Sequence, residues 1–331
     1  MYVRSSRTRI EIWTPAKLNL HLEVLGRRLD GFHEIETLMV PISLYDTLRL
    51  EARDDDRLLL AARWDLGADL GETRGAGGAD AAFGDLPTDG TNLVLRALEL
   101  LRRRARERAL DKATPRSWGA NAELIKRIPS AAGLGGGSSD AAAALLAANQ
   151  VWNLGWTLEQ LAEVAAELGS DIPFFLAGGP AVCDGRGERV RPLAMGPRLH
   201  LVIVRPAEGL STAAVYRNTV LPGQPRRMAE LLAAWDSCRP SRIGPSMFNR
   251  LQEAGAKLSS CLEPVRRAFD RLDVLGHQMS GSGSCYFGVC RDARHAGRVA
   301  AVLKARRVGR VFRAVSLVPG QQVTALASVQ G

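Results

Sequence analysis

The sequence has few aromatic residues and contains no long hydrophobic run. Only 5% of its 331 residues are aromatic, and no stretch approaches the roughly 18 consecutive apolar residues that a membrane helix needs. The opening stretch MYVRSSRTRIEIW also lacks a hydrophobic segment, so we expect no signal peptide. A chain of this length has room for about two domains, and we predict a cytoplasmic protein.

The five cysteines do not form the patterns that disulfide frameworks or zinc sites require. They are odd in number, lie late in the chain and never occur as Cys-x-x-Cys. The sequence also lacks the His-Glu-x-x-His motif of zinc enzymes. We therefore expect no resident metal.

Lysine is scarce, although the chain is basic. Lys and Arg total 44 against 35 acidic residues, and only five of the 44 are lysines. Arginines cluster at 102–108 and at 306–313. Such clusters are typical of solvated surfaces, but they can also attract a polyanion such as a nucleotide, a diphosphate or a nucleic acid. The charge alone therefore leaves a nucleic-acid-binding module open as an alternative.

Hydrophobic alternation and turn residues predict an antiparallel start to the chain. The predicted strands cover 10–13, 17–25, 33–44, 46–51 and 58–63. A loop insertion at 65–90 and a helix over 91–110 follow, and then a strand (120–128), a small-residue loop (129–139) and a helix (140–152). Thr157 and Gln160 form a capping-box pattern for a helix that ends at Leu168.

The pattern restarts beyond residue 190, so we place a domain boundary there, between 1–190 and 191–331. The second part is predicted to hold a strand at 200–205, helices near 211–217, 226–235 and 246–258, and then a Gly/Ser turn, a strand, a helix and a last strand at 311–317. We expect the last dozen residues to be disordered.

The strongest local signal is the segment PSAAGLGGGSSD, from Pro129 to Asp140, which precedes a helix. Glycines allow backbone N–H groups to approach a ligand closely, and the start of a helix adds free donors and the positive end of its dipole. The segment has neither the lysine of a Walker P-loop nor the spacing of a dinucleotide-binding motif. It therefore predicts an anion site of another type, with a flexible linker as the alternative.

Three weaker signals accompany this loop. Lys17, Asn19 and His21 alternate with apolar residues along a strand; Asp171 lies between a helix end and the apolar run IPFF; and MSGSGS spans 279–284. Taken singly, these patterns are equally typical of a solvated strand, a helix cap and a hairpin turn.

Taken together and in this order, the four signals resemble the GHMP kinases, the superfamily of galacto-, homoserine, mevalonate and phosphomevalonate kinases. The segments PAKLNLHLEVLGRRLDGFHEIETLMVPISLYDTL, IKRIPSAAGLGGGSSDAAAALLAAN, LGSDIPFFLAGGPAVCDGRGE and MSGSG resemble one family within it, the 4-diphosphocytidyl-2-C-methyl-D-erythritol kinases. The combination of AKLNL with DGFH carries most of this resemblance, because other GHMP kinases share only the glycine loop. Residues 206–275 offer no motif that matches.

The resemblance implies an α+β, two-domain GHMP kinase fold. Its N-terminal α/β domain would contain a left-handed β-α-β unit, its C-terminal domain would be ferredoxin-like, and the active site would lie between them. The implied activity is ATP-dependent phosphorylation of the 2-hydroxyl of 4-diphosphocytidyl-2-C-methyl-D-erythritol, which gives ADP, in the non-mevalonate (methylerythritol phosphate) isoprenoid pathway. A GHMP kinase for another alcohol, such as homoserine or mevalonate, is the alternative among enzymes.

The resemblance also implies roles for individual residues. Asp171 would be the catalytic base and Lys17 its charge partner. Asn19 would help to hold the substrate, and Phe32 and His33 would bind its cytosine by stacking and by hydrogen bonding. Mg²⁺ would enter with ATP, and Ser138 is the candidate for a metal contact. The ATP phosphates would lie on Pro129, Ser130, Ala131, Ala132, Gly133, Leu134, Gly135, Gly136, Gly137, Ser138 and Ser139.

Two positions depart from the family pattern. Phe32 stands where tyrosine is more usual, so the ring remains but a hydroxyl is lost. Val182 stands where some relatives carry a second aromatic residue. Both departures predict weaker cytosine affinity, while the polar contacts that identify the base would remain.

Overall fold

The structure is a computed structural model that describes residues 1–5, 9–65, 86–108, 117–194 and 196–317. The predicted loop insertion at 65–90 and the predicted disordered C-terminus therefore lie largely outside the described residues. The strands are β1 (Tyr2–Ser5), β2 (Arg9–Arg27), β3 (His33–Arg53), β4 (Leu58–Trp64), β5 (Gly119–Lys126), β6 (Ala181–Gly185), β7 (Arg189–Pro192), β8 (His200–Arg205), β9 (Phe248–Asn249), β10 (Gly276–Met279), β11 (Tyr286–Cys290) and β12 (Arg310–Val315). The helices are α1 (Leu93–Arg108), α2 (Gly136–Val151), α3 (Leu158–Leu168), α4 (Ile172–Ala177), α5 (Thr212–Arg217), α6 (Ala229–Asp236), α7 (Pro240–Ser246), α8 (Gln252–Leu258), α9 (Leu262–Asp270) and α10 (Ala293–Ala305).

The first sheet is built on the long antiparallel hairpin of β2 and β3. Its strands run in the order β1-β2-β3-β5-β4, and β6 also pairs with β3 and with β7. The parallel neighbours β4 and β5 are joined through α1. The pairing of β2 with β3 is irregular at Pro15/Ala16, Asn19/His21 and Val24/Gly26, and such bulges bend a strand and redirect its side chains.

Helices α1 to α4 cover one face of this sheet. The alanines of α2, among them Ala141 to Ala144, are fully buried, and their small side chains allow the helix to approach β2 and β3 closely. Together with apolar residues of α1, α3 and α4 they form the first hydrophobic core.

The opposite face packs against the second sheet, which is antiparallel in the order β10-β11-β8-β12. Leu18, Leu20 and Val40 of the first sheet share a core with Ile203 and Phe287 of the second. Val202 and Val204, the alternate residues of β8, pack with residues of α9 and α10 in a third core. The two sheets thus lie between two sets of helices, in the mixed α and β architecture that was expected.

Four expected boundaries are wrong. The strands predicted at 10–13 and 17–25 are the single strand β2, and those at 33–44 and 46–51 are the single strand β3. Helix α2 begins at Gly136 rather than at 140, so the end of the glycine loop is its first turn. The helix predicted over 246–258 begins only at Gln252, because Phe248 and Asn249 form the short strand β9 beside β2.

Candidate active site

A cavity of about 1090 Å³ opens between the two halves of the chain. The first half contributes the polar face of β2, the turn between β2 and β3, the glycine loop, Asp171 and Arg186; the second half contributes α5 and the loop between β10 and β11. The four sequence signals therefore meet at one site, although they lie far apart along the chain.

Lys17 and Asp171 lie together in this cavity. Lys17 Nζ is 3.3 Å from Asp171 Oδ2 and donates a hydrogen bond of 2.7 Å to Asn19 Oδ1. Asn19 Nδ2 in turn donates to Thr37 Oγ1, so its amide is oriented from both ends. Lys17 is 4% exposed and the Asp171 side chain is 34% exposed. The ammonium is thus held within the protein while the carboxylate still reaches the cavity.

Asp171 precedes α4, but its side chain makes no capping hydrogen bond to that helix. The interpretation of this residue as a helix cap therefore does not hold. Ile172, Phe174 and Phe175 behind it are buried and fix the start of α4 by packing. The carboxylate is left free to face Lys17.

The glycine loop passes directly over Lys17. Leu134 O accepts a hydrogen bond from Lys17 N at 2.9 Å. Gly135 has a φ of +70°, and a Cβ there would lie 3.0 Å from both Lys17 Cγ and Phe175 Cζ. This position therefore needs glycine for its backbone conformation and for the close passage of Lys17.

The residues from Pro129 to Ser138 line the cavity, but Ser139 does not. Ser139 is fully buried, and its hydroxyl contacts that of Thr14 on β2. Of the eleven residues expected to bind ATP, the structure thus brings ten to the cavity and leaves Ser139 in a bond that ties α2 to β2.

The loop between β10 and β11, residues 280–285, is a hairpin turn that also borders the cavity. Ser280 Oγ donates to Gly133 O at 2.9 Å, and Cys285 N donates to Ala132 O at 3.1 Å. We call residues 280–285 the third loop. These bonds join it to the glycine loop.

Phe32 and His33 line the cavity beside Arg186 and Tyr216. The Arg186 guanidinium lies 4.8 Å from the centroid of the Phe32 ring, and Phe32 is 49% exposed. The His33 and Tyr216 rings pack with centroids 5.1 Å apart.

Burial, together with the nearby Arg27 charge, lowers the pKa of His33, which favours the neutral imidazole. Burial and the nearby Asp171 charge raise the pKa of the Tyr216 hydroxyl, so it stays protonated.

The second aromatic residue of the site is Tyr216, and the sequence analysis missed it. Val182 is buried in β6 within the core between the sheets and does not line the cavity. Tyr216 lies on α5, in the stretch where no motif was found. Tyr216 reaches His33 only because α5 packs against the start of β3.

A buried ion cluster lies beneath the glycine loop. Lys126 Nζ contacts Asp46 Oδ2 and is 2.7 Å from Asp140 Oδ2, and a Cβ at Gly136 would lie 3.1 Å from this ammonium. Burial alone would lower the pKa of Lys126, but the Asp140 and Asp46 charges raise it. Burial raises the pKa of Asp140 against the opposing effect of Lys126. The cluster joins β3, β5 and α2.

The arginine cluster at 102–108 is largely neutralised by acidic neighbours. Arg102 pairs with Glu99, Arg104 with Glu107 and Glu167, and Arg106 with Asp56. These pairs favour the interpretation of this cluster as a solvated surface.

Neither a metal cluster nor a membrane helix is found within the described ranges. No group of three or more His, Cys, Asp and Glu residues there could hold a metal ion. None of the helices there is long and apolar enough to cross a membrane.

Comparison with known proteins adds two family matches. Residues 92–179 match the GHMP kinases N terminal domain, and residues 229–308 match the GHMP kinases C terminal domain. The first match covers the glycine loop and Asp171, and the second covers the third loop.

A sequence relative and a solved structure that each match most of the chain are kinases of the same substrate. The chain is 40% identical over 291 residues to a 4-diphosphocytidyl-2-C-methyl-D-erythritol kinase of Pelotomaculum thermopropionicum. The aligned region covers 86% of this chain and 91% of that protein. A crystal structure of 4-(cytidine 5'-diphospho)-2C-methyl-D-erythritol kinase superposes with a TM-score of 0.70 at 34% identity, over 92% of this chain and 98% of that one. A homoserine kinase from Cytophaga hutchinsonii superposes with a TM-score of 0.65 at 20% identity, over 96% and 97% of the two chains, and shares the fold alone.

Proposed function

Because the chain belongs to the 4-diphosphocytidyl-2-C-methyl-D-erythritol kinase family of the GHMP kinases, we propose that the cavity transfers the γ-phosphate of ATP to the 2-hydroxyl of 4-diphosphocytidyl-2-C-methyl-D-erythritol. The products are ADP and the 2-phosphate, in the non-mevalonate isoprenoid pathway. The observation that carries this proposal is the meeting of Lys17, Asp171, the glycine loop and the Phe32–His33 turn in one cavity.

The glycine loop binds the triphosphate of ATP. Its backbone N–H groups and the start of α2 supply donors and a positive dipole where the phosphates lie. The loop contains no lysine, so Mg²⁺ entering with ATP would supply the positive charge that stabilises the phosphates during transfer. Ser138, in the first turn of α2 and on the cavity wall, is the side chain available to hold that ion.

Asp171 takes the proton of the attacking hydroxyl. A carboxylate within hydrogen-bond reach is a suitable general base for this transfer, and the Asp171 side chain is exposed enough to meet a substrate. The Lys17 ammonium, 3.3 Å away, stabilises the negative charge that develops on the oxygens during transfer. Asn19 holds this ammonium through its Oδ1, a role in addition to the substrate contact that the family resemblance implies.

The cytosine binds at the other end of the cavity. Phe32 offers an exposed ring face for stacking, and neutral His33 can both donate and accept a hydrogen bond to the base. Tyr216 packs on His33 and is the second aromatic group available to the base. The cations Arg27, Arg186 and Arg217 also line this end, where a diphosphate would be attracted.

A panel of alcohols in a coupled ADP-release assay tests this function. We expect Mg²⁺-dependent ADP release with the cytidine diphosphate alcohol and at most slow release with homoserine or mevalonate. Faster release with either of the latter would assign the chain another substrate. Strong, salt-sensitive binding of generic RNA, without kinase activity, would instead support the nucleic-acid-binding alternative. The cytoplasmic location predicted from the sequence stays a prediction.

A further inference from the structure

Asn249 lies outside every motif recognised in the sequence, yet its side chain holds the third loop. It is 7% exposed and belongs to β9, which pairs in parallel with β2 at His21 and Leu22. Asn249 Nδ2 donates to the carbonyls of Met279 and Gly281, both at 2.8 Å, and its Oδ1 accepts from Leu251 N at 2.9 Å. Two carbonyls on one side and an N–H on the other fix the orientation of the amide.

The loop that Asn249 holds lies against Lys17 and Asn19. Gly281 has a φ of +54°, and a Cβ there would lie 3.1 Å from Asn19 Oδ1 and 3.2 Å from Lys17 Nζ. The same loop is bonded to Gly133 through Ser280. A small displacement of the loop would therefore change the space around the Lys17 ammonium and the path of the glycine loop.

Two further amides act at the same place. Gln278 Nε2 donates to Asn19 O at 2.8 Å and to Leu20 O at 3.2 Å. Gln252 Oε1 accepts from Met279 N at 2.8 Å. We call Asn249, Gln252 and Gln278 the amide clamp. It joins β10 and the third loop to β2 where Lys17 and Asn19 project.

We propose that Asn249 is a positioning residue for phosphoryl transfer, which acts by holding the third loop against Lys17 and Asn19. It touches neither ATP nor the alcohol; it acts on the reaction through the Lys17 ammonium. The inference rests on the proposed function, because it requires Lys17 to take part in the transfer. A positioning role predicts that removing the Asn249 side chain lowers kcat by more than the loss of folded protein explains. Misplacement of a catalytic group by about 1 Å can lower the rate roughly a hundredfold.

Asn249→Ala is the test variant, and Asn149→Ala is its matched control. Asn149 makes the same kind of bonds, since its Nδ2 donates to Trp156 O and its Oδ1 accepts from Trp156 N, both at 3.0 Å, but it does not line the cavity. We expect both variants to melt at lower temperature than the wild type. Only Asn249→Ala should lower kcat, by about ten- to a hundredfold.

The kinetic constants separate positioning from unfolding. The measured rate is divided by the concentration of ATP-binding sites, which is determined by titration. Unfolded protein then does not lower the value of kcat. We expect the KM of the cytidine substrate to change by less than about threefold, because none of the clamp's hydrogen bonds described above involves Phe32 or His33.

A kcat of Asn249→Ala within about twofold of the wild type, with a melting temperature lowered as in Asn149→Ala, would overturn the proposal. If Asn249→Ala does not fold, Gln278→Met decides in the same way, because it removes only the two bonds to the carbonyls of Asn19 and Leu20. Failure of the proposed function would look different. The wild type would not phosphorylate the cytidine substrate, or Lys17→Ala would retain full activity.

Discussion

Lys17 Nζ has two close partners in the cavity, Asp171 Oδ2 and Asn19 Oδ1, and we expect these three residues to act as a unit. We expect Asp171→Asn and Lys17→Ala each to lower kcat by orders of magnitude with a modest change in KM. The double variant should be little worse than either single variant, because each change disables the same step. Steady-state kinetics with Lys257→Ala, an exposed lysine paired with Glu253, as the control checks this. A near-normal kcat for Asp171→Asn would contradict the mechanism.

Phe32 and His33 should contribute differently to base recognition. Stacking of a base on an aromatic ring is worth roughly 1–3 kcal/mol and tolerates any base, whereas a polar edge contact discriminates between bases. We therefore expect Phe32→Ala to raise the substrate KM about ten- to a hundredfold with its base preference unchanged. His33→Ala should raise KM and also reduce the preference for cytidine over uridine substrates.

The pH dependence of this preference provides a second check. Burial and Arg27 lower the pKa of His33, which favours the neutral form of the imidazole that we propose to bind the base. The preference should be constant from about pH 8 to 7 and should fall only below the ordinary histidine pKa of about 6.5, as the ring takes up a proton and loses its acceptor. A preference that His33→Ala leaves intact at every pH would contradict this assignment.

The glycine loop and the first turn of α2 form one element, in which neighbouring glycines differ in the space around them. A Cβ at Gly135 would lie 3.0 Å from Lys17 Cγ, one at Gly136 would lie 2.9 Å from Ile128 Cγ2, and one at Gly137 would meet nothing closer than Leu93 Cδ1 at 3.4 Å. We expect Gly135→Val and Gly136→Val to raise the ATP KM or abolish activity, and Gly137→Ala to be tolerated. ATP titration of the three variants tests this, and unchanged affinity in both valine variants would refute the loop assignment.

The ion cluster that joins β3, β5 and α2 contains two carboxylates in unequal settings. Asp46 accepts from Lys126 and from the backbone of Arg127 and Ile128, whereas Asp140 Oδ1 has no partner. Asp46→Asn should therefore cost about 3–5 kcal/mol, the range for breaking a buried ion pair, and Asp140→Asn clearly less. Urea unfolding of both variants measures this, and equal losses would show that the two carboxylates are equivalent.

The same cluster predicts how stability depends on pH. Burial raises the pKa of Asp140 in the folded state, so this carboxyl loses its proton at a higher pH in the folded protein than in the unfolded chain, where it does so at about pH 4. Stability from this group is present at low pH and is lost as pH rises toward the raised pKa. The free energy of unfolding of the wild type, relative to Asp140→Asn, should fall from pH 5 to pH 8. A difference that is constant or rises would contradict the raised pKa of Asp140.

Local signals predicted several single elements well, and non-local pairing explains part of the errors. The capping box of Thr157 and Gln160 is present at the start of α3, and β4 and β8 lie within a residue or so of where alternation placed them. The bulges of β2 and the two-residue strand β9 depend on partners far away in the chain. No pattern within their own segments indicates them.

At the scale of the whole molecule, the motifs predicted the site in the first half of the chain, but they did not predict what the second half adds. Lys17, the glycine loop and Asp171 carry recognisable patterns, and the fold brings them together. Tyr216 and Asn249 reach the cavity or its border only because α5 and β9 pack against the first sheet. Their roles arise from tertiary contacts, for which a single sequence provides no signal.

The arrangement of the two halves around one cavity makes substrate choice a property of the whole molecule. We propose that Lys17 and Asp171 serve phosphoryl transfer and that Phe32, His33 and Tyr216, which line the same cavity, bind the nucleobase. Selectivity should therefore be measured as the ratio of the kcat/KM values for competing alcohols. Detectable activity with one alcohol alone does not measure it.

A competition assay measures that ratio directly. The wild type is given ATP labelled in the γ-phosphate and an equimolar mixture of 4-diphosphocytidyl-2-C-methyl-D-erythritol, its uridine counterpart, homoserine and mevalonate, and the labelled products are separated and identified. We predict that nearly all early label is found on the 2-hydroxyl of the cytidine compound, and that Asp171→Asn transfers almost none. Label found chiefly on homoserine or mevalonate, or shared equally between the cytidine and uridine compounds, would contradict it.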